Sequence, residues 1–156
     1  MANQGSWSAG RITEIVAEHA HLEGPLLPIL HAVQAELGHI PRDAIPLIAQ
    51  GLNLTRAEVY GVVTFYHDFR ERPAGRRVVK LCRAEACQSM GANAVAAKVL
   101  GHFGVAWNGT SADGAVTIEP VYCLGLCSVA PSALIDGTPH GRIEAEHVIA
   151  MAEREP

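Results

Sequence analysis

All four cysteines lie in the second half of the chain, and they form two pairs. Cys82 and Cys87 have C-x4-C spacing, Cys123 and Cys127 have C-x3-C spacing, and 35 residues separate the pairs. Each pair follows a stretch rich in β-branched residues, which reads as a strand. Arg77-Val78-Val79-Lys80-Leu81 ends at Cys82, and Val116-Thr117-Ile118-Glu119-Pro120-Val121 runs into Cys123. If the two strands are neighbours, both pairs emerge at one end of the sheet and four thiols converge on one point. Few arrangements of the remaining segments satisfy that condition.

Residues 88–102 carry Met90, Val95, Ala97 and Leu100 in a helical pattern. Ala133-Leu134-Ile135, Asp136-Gly137 and Gly141-Arg142-Ile143 read as a hairpin, and a last helix spans about residues 144–153. The order strand, helix, strand, strand, strand, helix predicts a small mixed sheet flanked by helices, close to a thioredoxin-like layout. The first half is different in kind. Residues 8–21 place Ile12, Ile15, Val16 and Ala20 at helical spacing. Pro25 opens a second helix carrying Leu26, Leu30, Val33 and Leu37, which Gly38 stops. Pro41 opens a third through Ile45 and Ile48, closed by Gly51. Thr55 with Glu58 three residues on is a capping box for a fourth, carrying Val59, Val62, Val63 and Tyr66. The pattern changes at Pro73-Ala74-Gly75. The expected class is α+β: an N-terminal four-helix region over residues 1–72, then a thioredoxin-like domain over residues 73–156.

Composition limits the function. The net charge is −4, from 12 basic and 16 acidic residues, and Arg76-Arg77 is the densest basic pair, so nucleic-acid binding is disfavoured. No apolar run approaches the roughly 18 residues that span a bilayer. The N-terminal MANQGSWSAGR has no apolar core of a secretory signal, and the expected location is cytoplasmic. Asn53-Leu54-Thr55 and Asn108-Gly109-Thr110 fit the glycosylation pattern but read as turn and cap residues. Charged residues are 18 % of the chain, low enough to suggest that partner subunits cover part of the surface.

Disulfides are rare in the cytoplasm, so four paired cysteines there point to metal or redox chemistry. A [2Fe–2S] centre takes four thiolates, and an oxidised core so ligated carries a net charge of about −2, which backbone N–H groups must stabilise. Cys87 at a helix start has free N–H groups near it, Gly125 lets the second loop bend tightly around sulfur, and Pro131 removes one donor and stiffens the exit. A structural zinc with four cysteine ligands also accepts these spacings. A thiol–disulfide enzyme lacks its C-x-x-C. Four unrelated buried cysteines would not pair so regularly. The eight histidines form no H-E-x-x-H and none adjoins a cysteine, so they read as surface or packing residues. No phosphate-binding glycine loop occurs. Arg83 and Glu85, between the first two cysteines, either tune the site, dock a partner or are simply solvated. A helix-turn-helix reading of the first half lacks a basic recognition face.

Three stretches resemble a known family. They are Leu27-Pro28-Ile29-Leu30-His31-Ala32-Val33-Gln34 with Gly38-His39-Ile40-Pro41, the V-x-G-V-x-T-F-Y segment Val59 to Tyr66, and Cys123-Leu124-Gly125-Leu126-Cys127 with Ala130-Pro131. Together they resemble the thioredoxin-like [2Fe–2S] ferredoxin family, which includes the 24 kDa subunit of respiratory NADH dehydrogenase. The resemblance covers roughly residues 12 to 150. It implies one [2Fe–2S] cluster ligated by Cys82, Cys87, Cys123 and Cys127, and a partner subunit that binds FMN and NAD(H). The stretch Cys82-Arg83-Ala84-Glu85-Ala86-Cys87-Gln88-Ser89-Met90-Gly91 is similar to the gamma subunit of NAD-dependent, molybdenum-containing formate dehydrogenase. That similarity implies an FMN-binding beta subunit, and an alpha subunit with molybdenum cofactor and further iron–sulfur clusters. The alternatives are the equivalent subunit of respiratory NADH-quinone oxidoreductase or of NAD-reducing hydrogenase, or a zinc-bound interaction module.

Overall fold

In a computed structural model, which describes residues 8–154, the chain divides into two units, Met1–Pro73 and Ala74–Pro156. Residues 1–7, which carry most of the stretch on which the absence of a leader was read, lie outside the described residues.

The first unit contains helices α1 (Ala9–His19), α2 (Leu26–Leu37), α3 (Ala44–Leu52) and α4 (Arg56–Phe65). Ser8 caps α1 by accepting from the Arg11 N–H. Gly38 ends α2 in the left-handed conformation, φ 77°. Ile12, Ile15, Ile29, Leu30, Val33, Ile48, Val59 and Val63 meet in one core. The capping box of α4 is complete. The Thr55 hydroxyl accepts from the Glu58 N–H, and the Glu58 carboxylate accepts from the Thr55 N–H at 2.8 Å. Two expectations change. Pro41 does not open α3, which begins at Ala44 with Asp43 at its cap. Gly51 does not close α3; Asn53 does, at φ 55°. Gly51 lies inside the helix, where a Cβ would come within 2.5 Å of Val16 Cγ1 on α1. It is a close-approach glycine, not a stop.

The second unit contains β1 (Arg77–Cys82), α5 (Glu85–Ser89), α6 (Ala92–Phe103), β2 (Gly109–Thr110), β3 (Val116–Val121), β4 (Ser132–Ile135), β5 (Thr138–Gly141) and α7 (Ala145–Ala152). The sheet order is β2-β3-β1-β4-β5, with β1 and β3 parallel and the other pairs antiparallel. Parallel neighbours need a crossover, and α5 and α6 lie within the one between β1 and β3. Val79, Leu81, Ile118, Ala133 and Ile135 from the sheet pack with Val99 and Val148 from α6 and α7. The buried Glu119 is matched by Lys80, its register partner on β1, at 3.8 Å.

The helix expected over residues 88–102 is two helices, broken at Met90-Gly91 where Gly91 takes φ 92°. The hairpin's second strand is Thr138–Gly141, three residues earlier than Gly141-Arg142-Ile143. Asp136 and Gly137 both have positive φ, as a two-residue turn requires, so pairing resumes at once with Ile135 opposite Thr138. Arg142, at φ 50°, ends the strand. The two-residue β2 carries no β-branched run and left no signal.

The capping box yields a pH-dependent prediction. Hydrogen bonds from the Thr55 backbone, then from its hydroxyl, hold the Glu58 carboxyl below the usual carboxylate range. A depressed folded value contributes stability above the unfolded one and loses it as pH falls. Glu58→Gln is expected to lower the urea midpoint at neutral pH and to converge with the wild type as pH drops through the carboxylate range. Thr55→Ala is expected to cost about 1 kcal/mol at neutral pH in the same assay.

Candidate functional site

Cys82 is the last residue of β1 and lies opposite Val121, the last residue of the parallel β3. The two cysteine loops therefore start at the same sheet end, as the strand pattern predicted. Cys87 is the third residue of α5. Cys123 follows β3 by two residues at φ 94°, and Cys127 opens a 3-10 turn over Cys127–Val129. Gly125, at φ 77°, folds the loop back so that its N–H points at Cys123 Sγ, 3.4 Å away. The Cys123 and Cys127 sulfurs are 3.8 Å apart. All four cysteines are free thiols; Cys82 and Cys87 are 3 % and 1 % exposed, whereas Cys123 and Cys127 are exposed.

The electrostatics follow from those positions. Burial alone pushes the Cys82 thiol up. Hydrogen bonds from the Ala84 N–H, the Cys87 thiol and the Cys123 and Leu124 N–H groups outweigh burial and bring it below the ordinary thiol value. The second loop thus donates to the first pair. Cys127 moves the other way, raised first by its hydrogen bond with Cys123 and then by the neighbouring charge of Cys123. A thiolate site crowded with its own kind favours a positive group that several sulfurs can share.

The donor set fits a [2Fe–2S] cluster. Such a cluster takes two thiolates on each of two irons, and backbone N–H groups offset its negative charge. Here the thiols come as two pairs, with N–H donors on Cys82 and Cys123. Among the described residues, no three His, Cys, Asp or Glu side chains are grouped to hold a metal ion.

Two details differ from the sequence reading. The N–H donor at the start of α5 is that of its cap residue, Ala84, and it serves Cys82 rather than Cys87. The Cys87 side chain instead turns into a small apolar cluster with Cys82, Ala92 and Ala130. Arg83 is no freely solvated loop residue, since its guanidinium lies over the Trp107 ring at 5.0 Å. Glu85 is exposed. A further residue, Ser132, left no mark in the sequence. Its hydroxyl lies 3.5 Å from Cys87 Sγ, a contact between loop and strand that no local motif encodes.

The thioredoxin-like [2Fe–2S] ferredoxin family model matches residues 12–154. The chain belongs to this family. It is 33 % identical over 144 residues to a subunit of the NADH-quinone oxidoreductase of Pseudomonas aeruginosa, covering 90 % of this chain and 87 % of that protein. It is 34 % identical over 123 residues to the corresponding NADH-quinone oxidoreductase subunit of Mycobacterium tuberculosis, covering 79 % of this chain and 49 % of that one. Among solved structures, the NAD⁺-reducing [NiFe]-hydrogenase in its air-oxidized state aligns with a TM-score of 0.69 at 26 % identity. That alignment covers 82 % of this chain and 22 % of the hydrogenase chain.

The left-handed backbone at Cys123 is costly for any residue with a Cβ, by about 1–3 kcal/mol. In metal-free protein, Cys123→Gly is expected to be more stable than Cys123→Ala by about 1 kcal/mol in urea unfolding. Equal midpoints would show that the conformation is not held in the metal-free chain.

Proposed function

We propose that this chain holds one [2Fe–2S] cluster on Cys82, Cys87, Cys123 and Cys127 and works as the electron-transfer subunit of an NAD-linked oxidoreductase. The observation that carries this reading is the convergence of two thiol pairs at the common end of β1 and β3, with backbone N–H groups directed at sulfur. When bound, the cluster supplies one-electron transfer and no bond-making on a substrate. The chain's own residues do the rest. Burial of Cys82 and Cys87 excludes water from one side. Exposure of Cys123 and Cys127 leaves the other side open to a redox partner. Tyr122 and Met90, beside the two loops and 63 % and 61 % exposed, offer that partner apolar contact. In this reading residues 73–156 are the cluster domain and residues 1–72 a helical region for docking.

The partner is a subunit that binds FMN and NAD(H). The named relatives favour a complex of the NADH-quinone oxidoreductase or NAD⁺-reducing hydrogenase type over a formate dehydrogenase. The formate dehydrogenase reading rests on the loop from Cys82 to Gly91 and would add a molybdenum-containing alpha subunit. Because the chain spans less than a quarter of the aligned hydrogenase chain, the activity of the whole assembly is part of the proposal. Among the described residues, no helix is long and apolar enough to cross a membrane.

Purifying the native complex through this chain and measuring its metals and activities separates these readings. Iron with NADH-driven quinone reduction, or iron with nickel and hydrogen-driven NAD⁺ reduction, is the expected result. Molybdenum with formate oxidation would select the formate dehydrogenase instead, and zinc without iron would leave an interaction module. Cys123→Ala is expected to lose most of its iron and acid-labile sulfide; full wild-type iron in that variant would remove Cys123 from the ligand set.

A further inference from the structure

We propose that Ser132 is a positioning residue that sets the reduction potential at this site through a hydrogen bond to Cys87 Sγ. The inference rests on the cluster reading above. Ser132 opens β4 and is 1 % exposed. Its position is fixed by the sheet. Leu81 pairs with Ala133 across β1 and β4, so Ser132 lies one step further, toward Cys82 and the cysteine loops. On its other side it pairs with Gly141 of β5. Gly141 in turn leaves no room for a Cβ, which would come within 2.5 Å of Val129 Cγ2. The sheet so holds the Ser132 backbone on both sides, and its hydroxyl lies 3.5 Å from Cys87 Sγ.

The direction of the bond follows from the chemistry of a ligand. In the free chain either atom can donate, and the Cys87 thiol also donates to Cys82. As metal ligands both cysteines are deprotonated, so Cys87 can donate to neither partner. Ser132 then must be the donor and Cys87 the acceptor. The N–H groups described above serve Cys82 and Cys123, and the Ser132 hydroxyl, 3.5 Å away, is a donor to Cys87. A proton aimed at a ligand sulfur favours the state with more negative charge on that sulfur, which is the reduced one. Removing it makes reduction harder and moves the midpoint potential to a more negative value.

The test is a redox titration of the full chain, reconstituted with iron and sulfide and followed by electron paramagnetic resonance. It compares wild type, Ser132→Ala, Ser132→Thr and Ser132→Val. The Thr and Val variants have nearly the same shape, so their difference isolates the hydroxyl even if Ala loses the cluster by loosening the fold. The expected result is a midpoint near wild type for Thr and a negative shift for Ala and Val, with iron content preserved. Equal midpoints for Thr and Val overturn the inference while leaving the cluster reading intact. A wild-type chain that takes up no iron overturns the cluster reading, and this inference with it.

Discussion

The parallel pairing of β1 with β3 is the constraint on which the rest of the site depends. Its register puts Cys82 opposite Val121, so both cysteine loops begin at one sheet end. A shift of one residue would turn alternate side chains to the wrong face and withdraw Val79, Leu81 and Ile118 from the core they share with α6 and α7. Apolar packing therefore fixes the register, and the register fixes the relation between the loops. The chemistry at the sheet end depends on a hydrophobic core some residues away.

From that arrangement an asymmetry follows. The first pair is sealed among Ala92 and Ala130, while the second lies on a tight, open loop. The sealed side is compensated by donors that reach across from the second loop, the N–H groups of Cys123 and Leu124. Buried polar groups need such partners. The loop that carries these donors takes a positive φ at Cys123, a conformation with a cost for any residue that has a Cβ.

Much of this was legible in the sequence because it rests on local signals. The capping box at Thr55 and Glu58, the run into Cys82, and the turn role of Asn53 and Asn108 all depend on a few adjacent residues. The misreadings have a common cause. Gly51 looked like a helix stop, since nothing nearby reveals Val16 packed against it. The hairpin slipped because Gly141-Arg142-Ile143 looks more strand-like than Thr138 to Gly141, and only the positive φ of Asp136, Gly137 and Arg142 corrects it. Ser132 beside Cys87 and Arg83 over Trp107 join segments far apart in the chain, so spacing alone cannot show them. The identity of the larger complex rests on still less, a single loop weighed against whole-chain similarity.

The most direct measurement of the central claim is electron paramagnetic resonance on the purified full chain, as isolated and after reduction with dithionite, with spins counted against protein. Four cysteines sharing one [2Fe–2S] cluster predict silence in the oxidised state. Reduction should then give a single spin per chain with an average g below the free-electron value. Silence in both states, from a sample that holds zinc and no iron, would contradict the account.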